Sequence, residues 1–378
     1  MGYVAVKGGT RAIEESIKRL KYERLKNGTV LDVGQIEGGM RSLIDQVMSE
    51  SSLYSPLLAS LAIKQAEGSP EEAVFLLRAY RSTLPRKHYS RVAEPERMRV
   101  ERRISASFKD IPGGQVLGAT TDYTHRLLDF ELMSETEEAV QRWLSDFYED
   151  SFRSDEKVPS EYFPKVLDYL RKEGLMEICE IDDTEPDDVT KKSLKFPSSR
   201  SQRLQILTRG QTGAVTSLAY AVIRGYGTLH PTVGELRVGS LPVYIDDPVN
   251  ESQEEEESYY IGDVKVSEAE MLVPVTVEKE RGIEEVEFEV GYGICYGQNE
   301  TKAIAMGILD NSLEQGEARY PTQDEEFVLY HIDSVESTGF ISHLKMPHYV
   351  TFQSKLDSAR KTKQTEKVRE GQKDEITL

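Results

Sequence analysis

Cysteine is scarce in this chain. Only Cys179 and Cys295 occur in 378 residues, far apart, with no CxxC pair. Two distant thiols leave no basis for an iron–sulfur cluster or a thiolate zinc site held by this chain alone. A protein of this length buries enough surface to fold without disulfide staples. No secretory leader is evident, so the expected compartment is the reducing cytoplasm. Long apolar runs are missing too. A membrane helix needs ~20 apolar residues, and the longest candidate, 214–223, is interrupted by Thr216 and Ser217. The start Met1-Gly2-Tyr3-Val4-Ala5-Val6 lacks the serine or threonine of a myristoylation signal. Positive charge is in deficit, with 47 Lys and Arg against 66 Asp and Glu, a net charge of −19. That balance argues against a nucleic-acid binder, which needs a basic footprint. Much of the acid is local, in 254–257 and 278–289, and reads as solvated loops or strand faces.

What is present falls into segments. Residues 3–6 read as a short strand, followed by Lys7-Gly8-Gly9-Thr10 and a helix over 12–25. A glycine turn before a helix can hold a phosphate, but the spacing matches no full phosphate-loop motif. Ile36, Met40, Leu43, Ile44, Val47 and Met48 recur at helical spacing, and 56–66 repeats the pattern. Ser69-Pro70-Glu71-Glu72 is a helix-start signature ahead of Val74, Phe75 and Leu77. Residues 134–192 are acidic and irregular, with room for one small helix within 160–174, and read as an insertion or peripheral subdomain.

Strands are expected beyond Pro197. Val286, Phe288 and Val290 alternate with Glu285, Glu287 and Glu289, the period of a half-buried strand. Residues 271–277 are the expected partner across a turn at Gly282, with Pro274 pointing to an edge position. Gly-Tyr-Gly occurs at 225–227 and 291–293 and reads as close-packed strand glycine. Asn299 is a candidate cap for a following helix. The expectation is an α+β fold, a helical N-terminal portion followed by a mixed or antiparallel sheet with packed helices. Its divisions are 1–133, 134–192, 193–354 and a polar tail, 355–378, read as a frayed helix or disordered.

Four groupings carry potential chemistry. His343 and His348 are five positions apart, a separation of roughly 140° around a helix, so they do not share a helical face. Pro347 also biases Met346 away from helix. The pair belongs in a turn or extended loop, as two unrelated histidines or as ligands of zinc, iron or nickel. A third ligand must then come from elsewhere, with His230 and His331 as candidates, or from a partner. A basic stretch holds Arg97, Arg99, Arg102, Arg103 and Lys109. It reads as a receptor for a phosphorylated ligand or as arginines paired with the protein's own acids. Ser198-Ser199-Arg200-Ser201-Gln202-Arg203 offers hydroxyls, arginines and a helix start in the same way. Asp324-Glu325-Glu326 suits acid–base work or the first turn of a helix running to Tyr330. Asp122-Tyr123-Thr124-His125-Arg126 groups polar side chains without naming a chemistry. No Ser-His-Asp elbow, HExxH, Walker loop or dinucleotide fingerprint occurs.

Together these runs resemble the subunit I (PhnI) family of the bacterial carbon–phosphorus lyase core complex. The resemblance rests on Phe75-Leu76-Leu77-Arg78-Ala79-Tyr80-Arg81, Glu101-Arg102-Arg103-Ile104-Ser105-Ala106 and Lys109-Asp110-Ile111-Pro112-Gly113-Gly114-Gln115. It extends through Asp122-Tyr123-Thr124-His125-Arg126, His230-Pro231, Gln323-Asp324-Glu325-Glu326 and Ser342-His343-Leu344-Lys345 with Pro347-His348-Tyr349. Departures lie in 134–192, 246–257 and the tail.

The resemblance implies a transferase subunit that acts with G, H and L subunits, beside J and K. Together they displace adenine from ATP with an alkylphosphonate, giving alpha-D-ribose 1-methylphosphonate 5-triphosphate; alone, the subunit is a nucleosidase. It also implies that His343 and His348 bind a metal, with zinc the expected ion, at the contact with the J subunit, and His230 is the favoured third ligand. Loss of adenine builds positive charge on ribose, so a carboxylate is expected near C1, from Glu235, Asp324 or Glu325. The triphosphate is expected on Arg102, Arg103, Lys109, Arg200 and Arg203. The competing readings are a non-catalytic scaffold subunit and a stand-alone zinc hydrolase of nucleotides.

Overall fold

The computed structural model describes residues 8–153, 163–176, 184–226, 230–247, 258–279, 283–315, 318–346 and 348–375. The expected strand at 3–6, Cys179, Gly227, the turn at Gly282 and the acidic run at 254–257 lie outside the described residues.

The chain begins with an exposed helix, α1 (Gly9–Leu25), and continues as α2 (Val33–Gly39), α3 (Arg41–Ser51), α4 (Pro56–Gln65) and α5 (Pro70–Ser82). The apolar stripes of α2–α5 meet in one core built on Ile36, Ile44, Val47, Met48, Ile63 and Val74. Capping defines the helix starts. Asp32 and Gln35 exchange bonds across the first turn of α2, and Ser55 and Ser69 cap α4 and α5, each followed by a proline that has no N–H to satisfy. Phe75 stays exposed, off the buried stripe.

After β1 (Arg99–Ile104) come α6 (Glu137–Arg153), α7 (Val166–Lys172), α8 (Arg200–Arg209) and α9 (Thr212–Ala221), which runs into a π-helical turn, Val222–Tyr226. Gly225 therefore lies in a helix rather than a strand. The remaining strands, β2 (Thr232–Asp246), β3 (Ser258–Lys279) and β4 (Ile283–Tyr296), complete a four-stranded sheet in the order β1-β2-β3-β4. All three pairings are antiparallel. The chain closes with α10 (Glu300–Glu314), α11 (Glu325–His331), α12 (Ser334–His343) and α13 (Tyr349–Glu375). The fold is α+β. Among the described residues no helix is long and apolar enough to cross a membrane.

The expected hairpin is present, with Leu272 opposite Val290, Pro274 opposite Phe288 and Thr276 opposite Val286. Pro274 is not on an edge strand, because β3 is interior. It lies where β3 runs past Leu272, the partner of Thr232, and pairs with β4 alone, so its missing N–H breaks no second ladder. The tail forms the regular helix α13. Among the described residues of 134–192, residues 137–149 of α6 lie at the surface, whereas Phe163, Lys165, Val166, Leu167 and Leu170 are buried.

The two faces of the sheet differ. Leu236, Ala269, Met271 and Cys295 face a core shared with α9, α10 and α11. There α10 lies directly on β4, because Gly291 and Gly293 carry no side chains. A Cβ at Gly291 would strike the carbonyl oxygen of Gly307, and one at Gly293 that of Ala303. The N-terminal helices dock beside this layer through Arg78, which donates to the carbonyls of Glu50 (2.7 Å) and Arg209 (2.9 Å) and pairs with Asp333 (2.6 Å). Tyr54 adds an edge-on contact with Tyr296 and accepts from the Lys265 N–H. Gly291→Ala is expected to lower unfolding stability by about 1–3 kcal/mol through overpacking, measured as a shift in the urea midpoint at unchanged slope.

Candidate functional sites: a buried charge belt, an arginine–carboxylate cluster and a histidine pair

The second face of the sheet carries charge. Pairing places Arg103 opposite Arg237, and Arg237 opposite Glu268; one step along, Glu235 lies opposite Glu270, and Glu270 opposite Tyr292. Alternation puts these side chains on one face. Lys165, in the segment leading into α7, covers them and donates to both Glu268 and Glu270 at 2.8 Å. Arg237 pairs with Glu268, and the Tyr292 hydroxyl donates to it at 3.0 Å. Arg103, fully buried, donates to Glu235 (2.5 Å) and to the carbonyls of Pro112 (2.6 Å) and Pro164 (2.8 Å). The other Glu235 oxygen accepts the Val166 N–H at 3.1 Å. Three carboxylates thus offset three cations where unpaired charge would be most costly.

The belt splits its carboxylates. Burial pushes both up, but Arg237 and Lys165 outweigh it at Glu268, which ends below the ordinary range. At Glu270 burial wins over Lys165, with Glu268 adding to it, and the group ends above. One Glu270 oxygen is buried without a hydrogen-bond partner among the described residues. Burial and the neighbouring Glu268 raise the Tyr292 phenol well above its usual value. Burial also pushes the Cys295 thiol up to about 11, leaving it protonated and inert.

The expected phosphate receptors separate into distinct places. Arg102 points away from Arg103 and is held by Glu300 (3.0 Å), Asp122 (2.5 Å) and the Leu117 carbonyl (2.5 Å). Lys109 is exposed. Arg200 and Arg203 sit in the first turn of α8, whose start is fixed by a capping box between Ser199 and Gln202. Arg200 forks onto Asp310 (2.6 and 3.1 Å) with its side chain half exposed. Arg203 pairs with Glu314 and reaches Glu325 at 3.7 Å. Glu325 also accepts from the Ser198 hydroxyl (2.6 Å) and N–H (3.0 Å). Asp324 caps α11 through the Phe327 N–H. The structure therefore joins Arg200, Arg203, Asp324 and Glu325 in one surface cluster, and places Arg103 with Glu235 in the belt.

His343 ends α12, and His348 immediately precedes α13, across a short turn. Their rings lie 5.4 Å apart, centre to centre. Each Nδ1 meets a backbone carbonyl, of Phe340 and Met346 respectively. A carbonyl only accepts, so Nδ1 carries a hydrogen, and in the neutral ring Nε2 is then the nitrogen open to a metal. The negative end of α12 adds to the attraction for a cation. The donor set fits half of a tetrahedral zinc site. His230 does not complete it, since no metal-binding group of three or more His, Cys, Asp or Glu occurs among the described residues.

Lys165, Arg237, Glu268, Glu270 and Tyr292 are absent from the sequence-based candidates. Their signal is charge at alternate positions within apolar strands, Glu235-Leu236-Arg237 and Glu268-Ala269-Glu270.

The chain is similar to proteins of phosphonate metabolism. A family model described as "Bacterial phosphonate metabolism protein (PhnI)" matches residues 2–366. The chain belongs to the PhnI family. It is 46% identical over 371 residues to a putative C-P lyase subunit protein, HtxH, of Stutzerimonas stutzeri, covering 96% of each. It is 43% identical over 369 residues to the alpha-D-ribose 1-methylphosphonate 5-triphosphate synthase subunit PhnI of Escherichia coli K12, covering 96% of this chain and 98% of that one. The protein of the same name from Rhizobium meliloti 1021 is 42% identical over 371 residues, covering 95% and 94%.

The belt predicts opposite pH slopes for two variants. A carboxylate with a lowered folded pKa stabilises above its unfolded value, and that stability is lost as pH falls through the folded pKa. One with a raised folded pKa stabilises below its unfolded value and loses this as pH rises through the folded pKa. Relative to wild type, Glu268→Gln is therefore expected to be less stable at pH 7 than at pH 4. Glu270→Gln is expected to be relatively more stable at pH 7 than at pH 4. Urea unfolding of the three proteins at both pH values reads the signs.

Proposed function

We propose that the chain is a transferase subunit of a cytoplasmic carbon–phosphorus lyase system. With partner subunits G, H and L, beside J and K, it displaces adenine from ATP with an alkylphosphonate, giving alpha-D-ribose 1-methylphosphonate 5-triphosphate. The observation that carries this reading is the match along nearly the whole chain to relatives named as subunits of that synthase.

The chemistry is assigned to the surface cluster. The exposed side of Arg200 receives phosphate oxygens, with Lys109 a further receptor, and the buried Arg203, paired with Glu314, adds its charge from beneath. Glu325, aimed by Ser198, or Asp324 beside it, stabilises positive charge at ribose C1 as adenine leaves. Arg102, Arg103 and Glu235 are less suited to direct contact, because protein partners already occupy them; they hold the sheet that carries the site. Alone, the chain lets water attack in place of the phosphonate.

His343 and His348 supply two Nε2 ligands to a zinc ion, and a partner subunit supplies the rest. When bound, the ion would supply a Lewis acid.

Purified chain incubated with ATP is expected to release adenine. Free phosphate without adenine would identify a nucleotide hydrolase instead, and release only with partners would fit a catalytic and a scaffold subunit alike. Arg200→Ala with Arg203→Ala is expected to weaken ATP binding by tenfold or more and adenosine binding far less; equal losses would give the arginines a structural role. His343→Ala is expected to remove most zinc from the assembled complex, measured by elemental analysis. Unchanged content would exclude the pair as ligands.

A further inference from the structure

Beyond the sheet, one segment is folded without being buried. From Thr121 to Trp143 every residue is exposed. In a segment that formed its own core, large apolar side chains would turn inward; here Leu127, Leu128 and Met133 are 82%, 78% and 86% exposed. α6 continues the pattern with Trp143 and Phe147, four positions apart, stacked on one another at 5.3 Å and open to solvent. The root, by contrast, is fixed. Buried Arg102 holds Asp122, and Gln298 donates to the Ala119 carbonyl at 2.8 Å. Further out, the hydrogen bonds of Thr124, Glu131, Ser134 and Ser145 stay within the segment.

Charge selects the occupant. Residues 121–149 hold eight Asp and Glu against two Arg. A second copy of a chain with net charge −19 would bring acid against acid. We propose that 121–149 is a docking arm for a different polypeptide, one offering an apolar groove with a basic rim. Trp143, Phe147, Leu128 and Met133 fill the groove, and the acids around them meet the rim. This rests on the reading of the chain as one subunit of a complex, and it adds which surface does the joining and what chemistry it requires.

The test uses the full chain co-expressed with the G, H and J subunits of its own system, with a photo-crosslinking residue in place of Trp143 or, separately, Leu128. An adduct to one of those subunits is expected. Trp143→Asp with Leu128→Asp is expected to weaken assembly by tenfold or more at an unchanged melting temperature, since both side chains are exposed. An adduct only to a second copy of this chain, or a complex that forms without adducts and withstands the double substitution, overturns the arm but leaves the subunit reading intact. Failure of the wild-type chain to assemble with any of these subunits overturns both.

Discussion

The Arg103–Glu235 pair is the contact on which the remaining structure depends. Its guanidinium ties β1 to β2, to the loop at Pro112 and to the segment at Pro164, while the carboxylate also holds the start of α7. Four pieces of chain meet at one buried ion pair. Removing either partner leaves the other charged and dry, a loss of about 3–5 kcal/mol. Around it, Arg237, Glu268, Glu270 and Lys165 extend the same logic across the sheet. The belt also selects register. A slip of one residue would turn these side chains onto the face where α10 rests on bare glycine, with no room or partners for them.

The division of labour follows from this. One sheet face is apolar and smoothed by Gly291 and Gly293, so a helix lies flat on it. The other is charged and covered by the Lys165 segment. The surface cluster of Arg200, Arg203 and Glu325 forms where α8 and α11 meet, outside the belt. The histidine pair sits further along the chain, where α12 gives way to α13. The surface cluster, the buried charge belt and the histidine pair thus occupy separate parts of the molecule, although arginine and glutamate serve in more than one of them.

Local features were legible in the sequence. Helical periodicity places α3 and α5, Ser69-Pro70 marks a helix start, and the alternation at Val286, Phe288 and Val290 gives β4 its partner in β3. What a linear pattern does not carry is pairing over distance. Arg102 and Arg103 read as a basic patch because Glu300 and Glu235 lie 198 and 132 residues away, and even Asp122, 20 residues past Arg102, is joined to it only by the fold. Lys165 falls in a segment of irregular composition, yet it is the cap of the belt, because burial depends on what the sheet presents to it. Glu325 and Arg203 were each visible as site candidates, but their junction through Ser198 required the fold.

The separation between Arg103 and Glu235 also bears on how the chain is made. The helices α2–α5 have a core of neighbours in sequence and can form as soon as they leave the ribosome. β1 cannot. Arg103 emerges more than a hundred residues before Glu235, and Arg102, although Asp122 soon follows it, waits nearly two hundred for Glu300; until synthesis reaches β2 and α10 these two long-range pairs stay open. The sheet is therefore a late product of translation, closed by charges that must wait for one another.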